Sequence, residues 1–357
     1  MAARKQYALP VFRIVTAVAL LCHSNAMLLA APAITGSPTI ERPKLLGWPR
    51  DLPVTKPDLT ERTANRVYDL HGSIDDCDLV FSTAGNYHMA LRDLWYDVFL
   101  PVYASGLNLK NWFYTTSPPI SPDQIANAHV SVGNLRSGCK PQVAVGPLSL
   151  MNELYTLGFT KGDHEAIIQN RGNVILVKAG NPKLISSVWD LGRDDVLVVT
   201  SHPKREPGSF GNYSNSIYNI ALNDPYPPTG WDADRLFNAI FNNTWVTNKW
   251  LSGRRIHHRE VPYSVSLKRA DAGLMFYHLA LHAKNTFPAR FDIVPLGGSV
   301  DAPNPLPGNR VGVLYAARIV GNWNAKQLDA QARLIQALKS PEFTAILTRY
   351  GLDRPLP

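Results

Sequence analysis

The chain has 357 residues, of which 45% are hydrophobic and 18% charged. That balance excludes a disordered or fibrous polymer and leaves room for two domains of ordinary size. Lys and Arg number 36 against 28 Asp and Glu, a formal net charge of +8. The basic residues are scattered, the tightest group being Arg254, Arg255, His257, His258 and Arg259. The charge therefore reads as a basic surface and not as a nucleic-acid footprint.

Arg4 and Lys5 precede an apolar run, Ile14 to Leu21. His23, Ser24 and Asn25 interrupt it, and it resumes from Met27 to Ala31. Small residues for cleavage follow at Ala31-Pro32-Ala33, with an earlier site at Ser24-Asn25-Ala26. Residues 1–33 are expected to be an export signal, which puts the protein in the periplasm. The alternative is an uncleaved anchor, against which the polar break and limited apolar length count. Cys22 lacks the small preceding residue of a lipid-attachment site. Removal of the signal leaves Cys77 and Cys139. In an oxidising compartment they either pair or stay free; spacing does not decide, because a bond needs Cα atoms within about 7 Å. Without a nearby Cys or His they make a poor zinc site.

Residues 34–70 carry Pro38, Pro43, Pro49, Pro53 and Pro57 and read as an irregular arm. Strands and helices then alternate. Leu79-Val80-Phe81 is a short buried strand, Ser82 to Asn86 a tight turn, and Ala90, Leu91, Leu94, Trp95 and Val98 one face of a helix. Such a turn offers backbone N–H groups and a positive helix end to an anion. Asn111 to Thr116 is the second strand, followed by a helix from Ser121-Pro122-Asp123. Gln142 to Val145 is the third, followed by a helix carrying Leu148, Met151, Leu154 and Leu157. Val174 to Val177 is a near-continuous apolar strand, typical of a sheet covered on both faces.

Lys178 to Pro182 is read as a crossing into a second lobe. There, Val196 to Thr200 is a strand leading through Ser201-His202-Pro203 to a helix opened by Pro207-Gly208-Ser209. Asp232 to Trp250 fits a helix with Leu236, Ile240 and Trp245 on its apolar side. Ile256 to Arg259 reads as a strand, Val261 to Arg269 as a helix, and Ala272 to Tyr277 and Phe291 to Pro295 as strands. Residues 297–309, with three Gly and three Pro, read as the return crossing. Val311 to Ala316 is a strand, Lys326 to Leu338 a helix, and Ser340-Pro341-Glu342 caps a last helix that stops at Tyr350-Gly351. The expected organisation is lobe 1 from 71–177 and 305–357, and lobe 2 from 178–304. No fixed-period repeat is present.

These features resemble the molybdate-binding proteins of ABC importers, within the type II periplasmic solute-binding fold: two α/β lobes joined by two crossing strands that form a hinge. The resemblance rests on Val80-Phe81-Ser82-Thr83-Ala84-Gly85-Asn86, Gly172 to Val177, Pro207 to Tyr213, Arg269 to Tyr277, and the tail Ser340-Pro341-Glu342-Phe343 through Leu352. It spans roughly residues 78–357. It implies a monomeric receptor that traps a small oxyanion of the molybdate or tungstate type and delivers it to an ABC permease, with no cofactor. Carried over by position, it implies ligand contacts from Thr83, Gly85, Asn86, Thr116 and Ser117 in the first lobe. In the second it implies Gly208, Ser209, Tyr277 and the backbone N–H of Val261. The family's ligand serine falls on Gly85, so the side-chain donor is missing there, with Thr83 or Asn86 as substitutes; its second-turn serines fall around Thr116, Ser117 and Pro118. The strand-end tyrosine is Phe276 or Tyr277, depending on register. The same fold with another small anion or an organic acid, or serving as a sensor subunit, is the alternative.

A neutral cage of N–H and hydroxyl donors suffices for a tetrahedral anion. Each assigned residue also has a structural explanation: a tight turn, a strand end, a helix cap or a packed aromatic. His257-His258-Arg259-Glu260 is favoured as structure, with Arg259 the exception that could reach an anion. Of His71, His88, His278 and His282, only the last two share helical spacing, and no metal site is expected. Gly-x-Ser-x-Gly, Walker and dinucleotide motifs are missing, so nothing in the sequence supports an enzyme.

Overall fold

The computed structural model describes residues 30–40, 68–72, 78–109, 111–116, 121–126, 130–132, 135–137, 139–253 and 257–356. Most of the expected signal, and Cys77 and Ser117, lie outside the described residues. Cys139 is disulfide-bonded; whether Cys77 is its partner, left open by the sequence, falls outside them too.

In chain order the first half holds β1 (Thr39–Ile40), β2 (Tyr68–Gly72), β3 (Leu79–Ala84), α1 (His88–Asp93), β4 (Asn111–Thr116), α2 (Pro122–Ala126), β5 (Val130–Val132), β6 (Leu135–Ser137), β7 (Val143–Pro147), α3 (Leu148–Thr156) and β8 (Glu165–Gln169). The second half holds β9 (Asn173–Lys178), β10 (Val198–Thr200), α4 (Pro207–Asn223), α5 (Ala233–Phe241), β11 (Trp250–Ser252), α6 (His257–Ser266), β12 (Ala272–Phe276), α7 (Tyr277–Thr286), β13 (Phe291–Pro295), β14 (Val313–Arg318), α8 (Ala325–Lys339) and α9 (Pro341–Arg349). They build two six-stranded sheets, ordered β2-β4-β3-β7-β14-β8 and β1-β11-β10-β12-β9-β13, beside a β5–β6 hairpin.

The two sheets repeat one plan. A parallel trio, β4-β3-β7 or β11-β10-β12, is continued by two strands in antiparallel ladders. Leu79 and Phe81 are fully buried, and Phe81 stacks on Trp95 at 5.8 Å on one face of β3. Val80 packs the other face with Ile125, Met151 and Leu154. Strands buried on both faces explain the continuous apolar runs in the sequence. Beyond α1 the helix widens into a π-helical stretch, Leu94–Tyr103, carrying Pro101.

Several expectations are corrected. The apolar strand placed in lobe 1 is β9, and it pairs with β12 and β13 in the second sheet. The first crossing therefore lies between Gln169 and Asn173, before the predicted Lys178–Pro182, and the return lies between Pro295 and Val313. The helix expected over 232–250 stops at Phe241. There the Asn243 carboxamide accepts from the N–H groups of Trp245 and Val246, a local turn that competes with helix. Trp250–Ser252 emerges as β11. The strand expected at 256–259 is helical from His257, the start of α6. Part of the expected irregular arm is ordered against the second lobe. Thr39–Ile40 lies parallel to β11, and Asn242 Oδ1 accepts from Thr35 and Gly36 N–H.

Candidate functional site

The connections after each parallel trio diverge. In the first sheet the chain leaves β3 toward the Phe81–Trp95 face, whereas β4 is followed by α2 on the Val80 face. In the second, Trp250 of β11 stacks on Phe210 of α4 at 5.4 Å, which places α4 on that face of β10 and β11. Val261 of α6 lies over Gly273 on the opposite face. Each sheet therefore has a topological switch point, between β3 and β4 and between β10 and β11. A crevice opens outside the strand ends at such a point. The first is formed by the turns after Ala84 and Thr116, the second by those after Thr200 and Ser252.

The two carboxyl edges meet. His278 Nε2 lies 2.9 Å from the Asn86 carbonyl oxygen. The Tyr87 ring stacks on His278 at 4.8 Å and lies 6.3 Å from Phe276. Met89 joins the hydrophobic cluster of the second lobe. Burial pushes the Tyr87 phenol up to about 12, although Asn170 donates to its oxygen at 3.1 Å. It stays a neutral phenol throughout the physiological range.

Beside this contact the two crossings run together, locked by asparagine carboxamides. Asn170 Oδ1 accepts from Gly172 N–H and Gly312 N–H, both at 3.0 Å. Asn309 Oδ1 accepts from Asn173 N–H at 2.8 Å, and its Nδ2 donates to Asn173 O at 2.9 Å. The Asn309 amide thus stands where β13 would have continued beyond Pro295. Asn173 Nδ2 donates to Asn212 Oδ1 and Ser216 Oγ on α4. Short crossings of this kind, pinned at a few points, suit hinge closure.

The predicted site residues separate into two groups. Gly85 is buried, Asn86 is half-buried, Thr83 is buried two residues before Gly85, and the backbone of Thr116 ends β4; all border the first crevice. In the second lobe, Gly208 and Ser209 form an exposed to half-exposed first turn of α4, outside the intrahelical ladder. Val261 is fully buried and lies a turn inside α6, so its N–H is committed to i→i−4 bonding. Tyr277 is buried, and its hydroxyl donates to Val300 O at 2.8 Å. That hydroxyl fastens the return crossing.

Sequence reasoning passed over Ser201 and His202, which end β10 as Gly85 and Asn86 end β3. The signal was there: both pairs follow an apolar strand at the same place in a β-turn-α unit. His202 Nδ1 accepts from Lys204 N–H at 3.1 Å. Burial, with Arg205 and Lys204 adding to it, holds His202 below its ordinary pKa despite Glu206 and Glu260 nearby. Both glutamates are buried, and Gly253 lets the Glu260 side chain lie against the end of β11. Two acidic side chains thus lie beside the second crevice. The hinge asparagines had no sequence signal, being isolated polar residues in loops.

Among the described residues, no three His, Cys, Asp or Glu side chains are grouped to hold a metal, and no helix is long and apolar enough to cross a membrane.

A family model described as bacterial extracellular solute-binding protein matches residues 130–353. Among solved structures, the sulfate-binding protein SubI of Mycobacterium tuberculosis H37Rv aligns with a TM-score of 0.52 at 15% identity, over 78% of this chain and 87% of that one. A glycosylated variant of PEB3, a protein of Campylobacter jejuni, aligns at 0.50 and 14%, over 77% and 99%. The periplasmic molybdate-binding protein of Azotobacter vinelandii aligns at 0.49 and 15%, over 78% and 99%. At such identities the likeness speaks to the fold alone, two α/β lobes. No curated protein matches the chain by sequence.

Proposed function

The chain belongs to the bacterial extracellular solute-binding proteins, and from that premise we propose that it is the exported receptor of an ABC importer, closing on a small oxyanion of the molybdate, tungstate or sulfate type. The observation that supports the reading is the meeting of the two carboxyl edges beside the paired crossings. The turn after β3 touches the first turn of α7, just beyond β12, through Asn86 and His278, beside crossings pinned by Asn170 and Asn309. Thr83, Gly85, Asn86, Thr116 and Ser117 supply the first lobe's donors in this reading. Gly208 and Ser209 contribute N–H groups from the start of α4. The protein works as a monomer that presents its rim to a permease.

A micromolar site needs about −8 kcal/mol. Three to five charge-assisted hydrogen bonds, each net about 1.5–3 kcal/mol, reach that without a cationic side chain. Such a cage also lets the ligand go when the lobes part.

Glu206 and Glu260 favour a second reading, an organic acid with hydroxyl groups. Two buried carboxylates near His202 would hydrogen-bond those hydroxyls, which a bare oxyanion lacks.

Calorimetric titration of the desalted protein with molybdate, tungstate, sulfate, phosphate and malate tests both. Saturable one-to-one binding of an inorganic anion supports the first. Binding of malate alone transfers the assignment to the second.

A further inference from the structure

We propose that Ser201, with His202 beside it, supplies the second lobe's side-chain donors to the trapped anion. The inference rests on the anion-trap reading and deepens it.

Ser201 is the first residue beyond β10, the middle strand of the parallel trio, at the switch point between β10 and β11. It is 1% exposed, and its Oγ has no hydrogen-bond partner. A buried hydroxyl without a partner is destabilising and calls for a reason.

The hydroxyls around it are committed within the fold. Thr200 Oγ1 donates to Ser201 O at 3.0 Å and accepts from Trp250 Nε1 at 2.8 Å. Ser252 Oγ, at the end of the neighbouring strand, donates to Gly253 O at 2.9 Å. Ser201 alone of the three keeps a hydroxyl surplus to the fold, and the bond to its carbonyl fixes its backbone.

His202 adds a second donor. Its Nδ1 accepts from a backbone N–H, so the neutral ring carries its proton on Nε2. Ser201 and His202 also occupy, on β10, the place that Gly85 and Asn86 occupy on β3. The first turn lacks a hydroxyl at Gly85; the second supplies one at the equivalent position. A donor pair on a strand end is better fixed than one on an exposed helix turn such as Gly208–Ser209.

Ser201→Ala is the test, with Ser264→Ala as control. Ser264 is another fully buried, unpartnered hydroxyl, but it lies inside α6. Each variant is titrated with molybdate, tungstate, sulfate and phosphate, and the desalted proteins are melted. For the anion that wild type binds, Ser201→Ala loses about tenfold or more in affinity and Ser264→Ala keeps it within twofold. Affinity within twofold of wild type in Ser201→Ala overturns the inference. If wild type binds none of the four, the oxyanion reading itself fails, and the melts decide the surplus hydroxyl: a higher Tm for Ser201→Ala supports it, an unchanged or lower one overturns it.

Discussion

Replacing Asn309 by Ala removes the carboxamide that joins the two crossings. Its Oδ1 and Nδ2 satisfy the N–H and C=O of Asn173 at 2.8 and 2.9 Å, and Asn309 is 8% exposed. Leaving a buried backbone group without a partner costs about 1–3 kcal/mol, so stranding two should cost the variant about 2–6 kcal/mol, toward the lower end if a water fills the gap. Urea unfolding gives the value. A loss under about 0.5 kcal/mol would refute the reasoning. A second substitution makes the test sharper. Gly172 has φ of +74°, and a Cβ there would stand 3.1 Å from Cγ, Oδ1 and Nδ2 of Asn309. Gly172→Ala therefore combines backbone strain with a steric clash. In the Asn309→Ala background the clash disappears and only the strain remains, about 1–2 kcal/mol. The two losses should add to less than their sum; strict additivity would mean that the carboxamide and the glycine do not share the joint.

Lys249 is 2% exposed and donates Nζ to the carbonyls of Leu191, Arg193 and Val196. Lys249→Met strands these acceptors and should cost about 3 kcal/mol by urea unfolding. Burial pushes the ammonium down to about 8 from its usual 10.5. Across that window the unfolded chain binds the proton more tightly, so this group's contribution to stability is lowest below pH 8 and rises toward 10.5. Stability of wild type should gain on that of Lys249→Met over the same range; a constant difference would contradict the assignment. In the arm, a Cβ on Gly36 would meet the Phe241 carbonyl. Gly36→Ala should detach residues 30–40 and speed their proteolysis, and an unchanged digestion rate would argue against the docking. Ser340 Oγ caps α9 by accepting from Phe343 N–H at 3.1 Å; Ser340→Ala should cost about 1 kcal/mol by the same unfolding measurement.

The fold was legible where burial is two-sided. Leu79 to Phe81, Val174 to Val177 and Ala272 to Phe276 are apolar runs that no solvent-facing strand or amphipathic helix would carry. Trp250–Ser252 was hidden because a three-residue strand leaves no period, and Leu236 and Ile240 set up a helical spacing that Trp245 prolonged by coincidence. Trp245 is in fact 63% exposed, its indole donating to Asp194. The lobe assignment of β9 was misread because an apolar run shows that a strand is buried and not which sheet buries it. The first crevice was readable from strand, turn and helix in immediate succession. The second was not, because five residues separate Ser201 from the start of α4 at Pro207, and attention went to the helix start and not to the strand end. Val261 was displaced by a helix that begins four residues earlier than its apolar pattern, over a charged stretch, His257 to Glu260, that carries no apolar period.

Native mass spectrometry of the protein purified without desalting tests the central claim most directly. The account predicts one adduct per chain, with the mass of a tetrahedral oxyanion, lost when the protein is unfolded. A neutral sugar or an organic cation in that place, or a chain that carries nothing and gains nothing when the anions are added back, would contradict it.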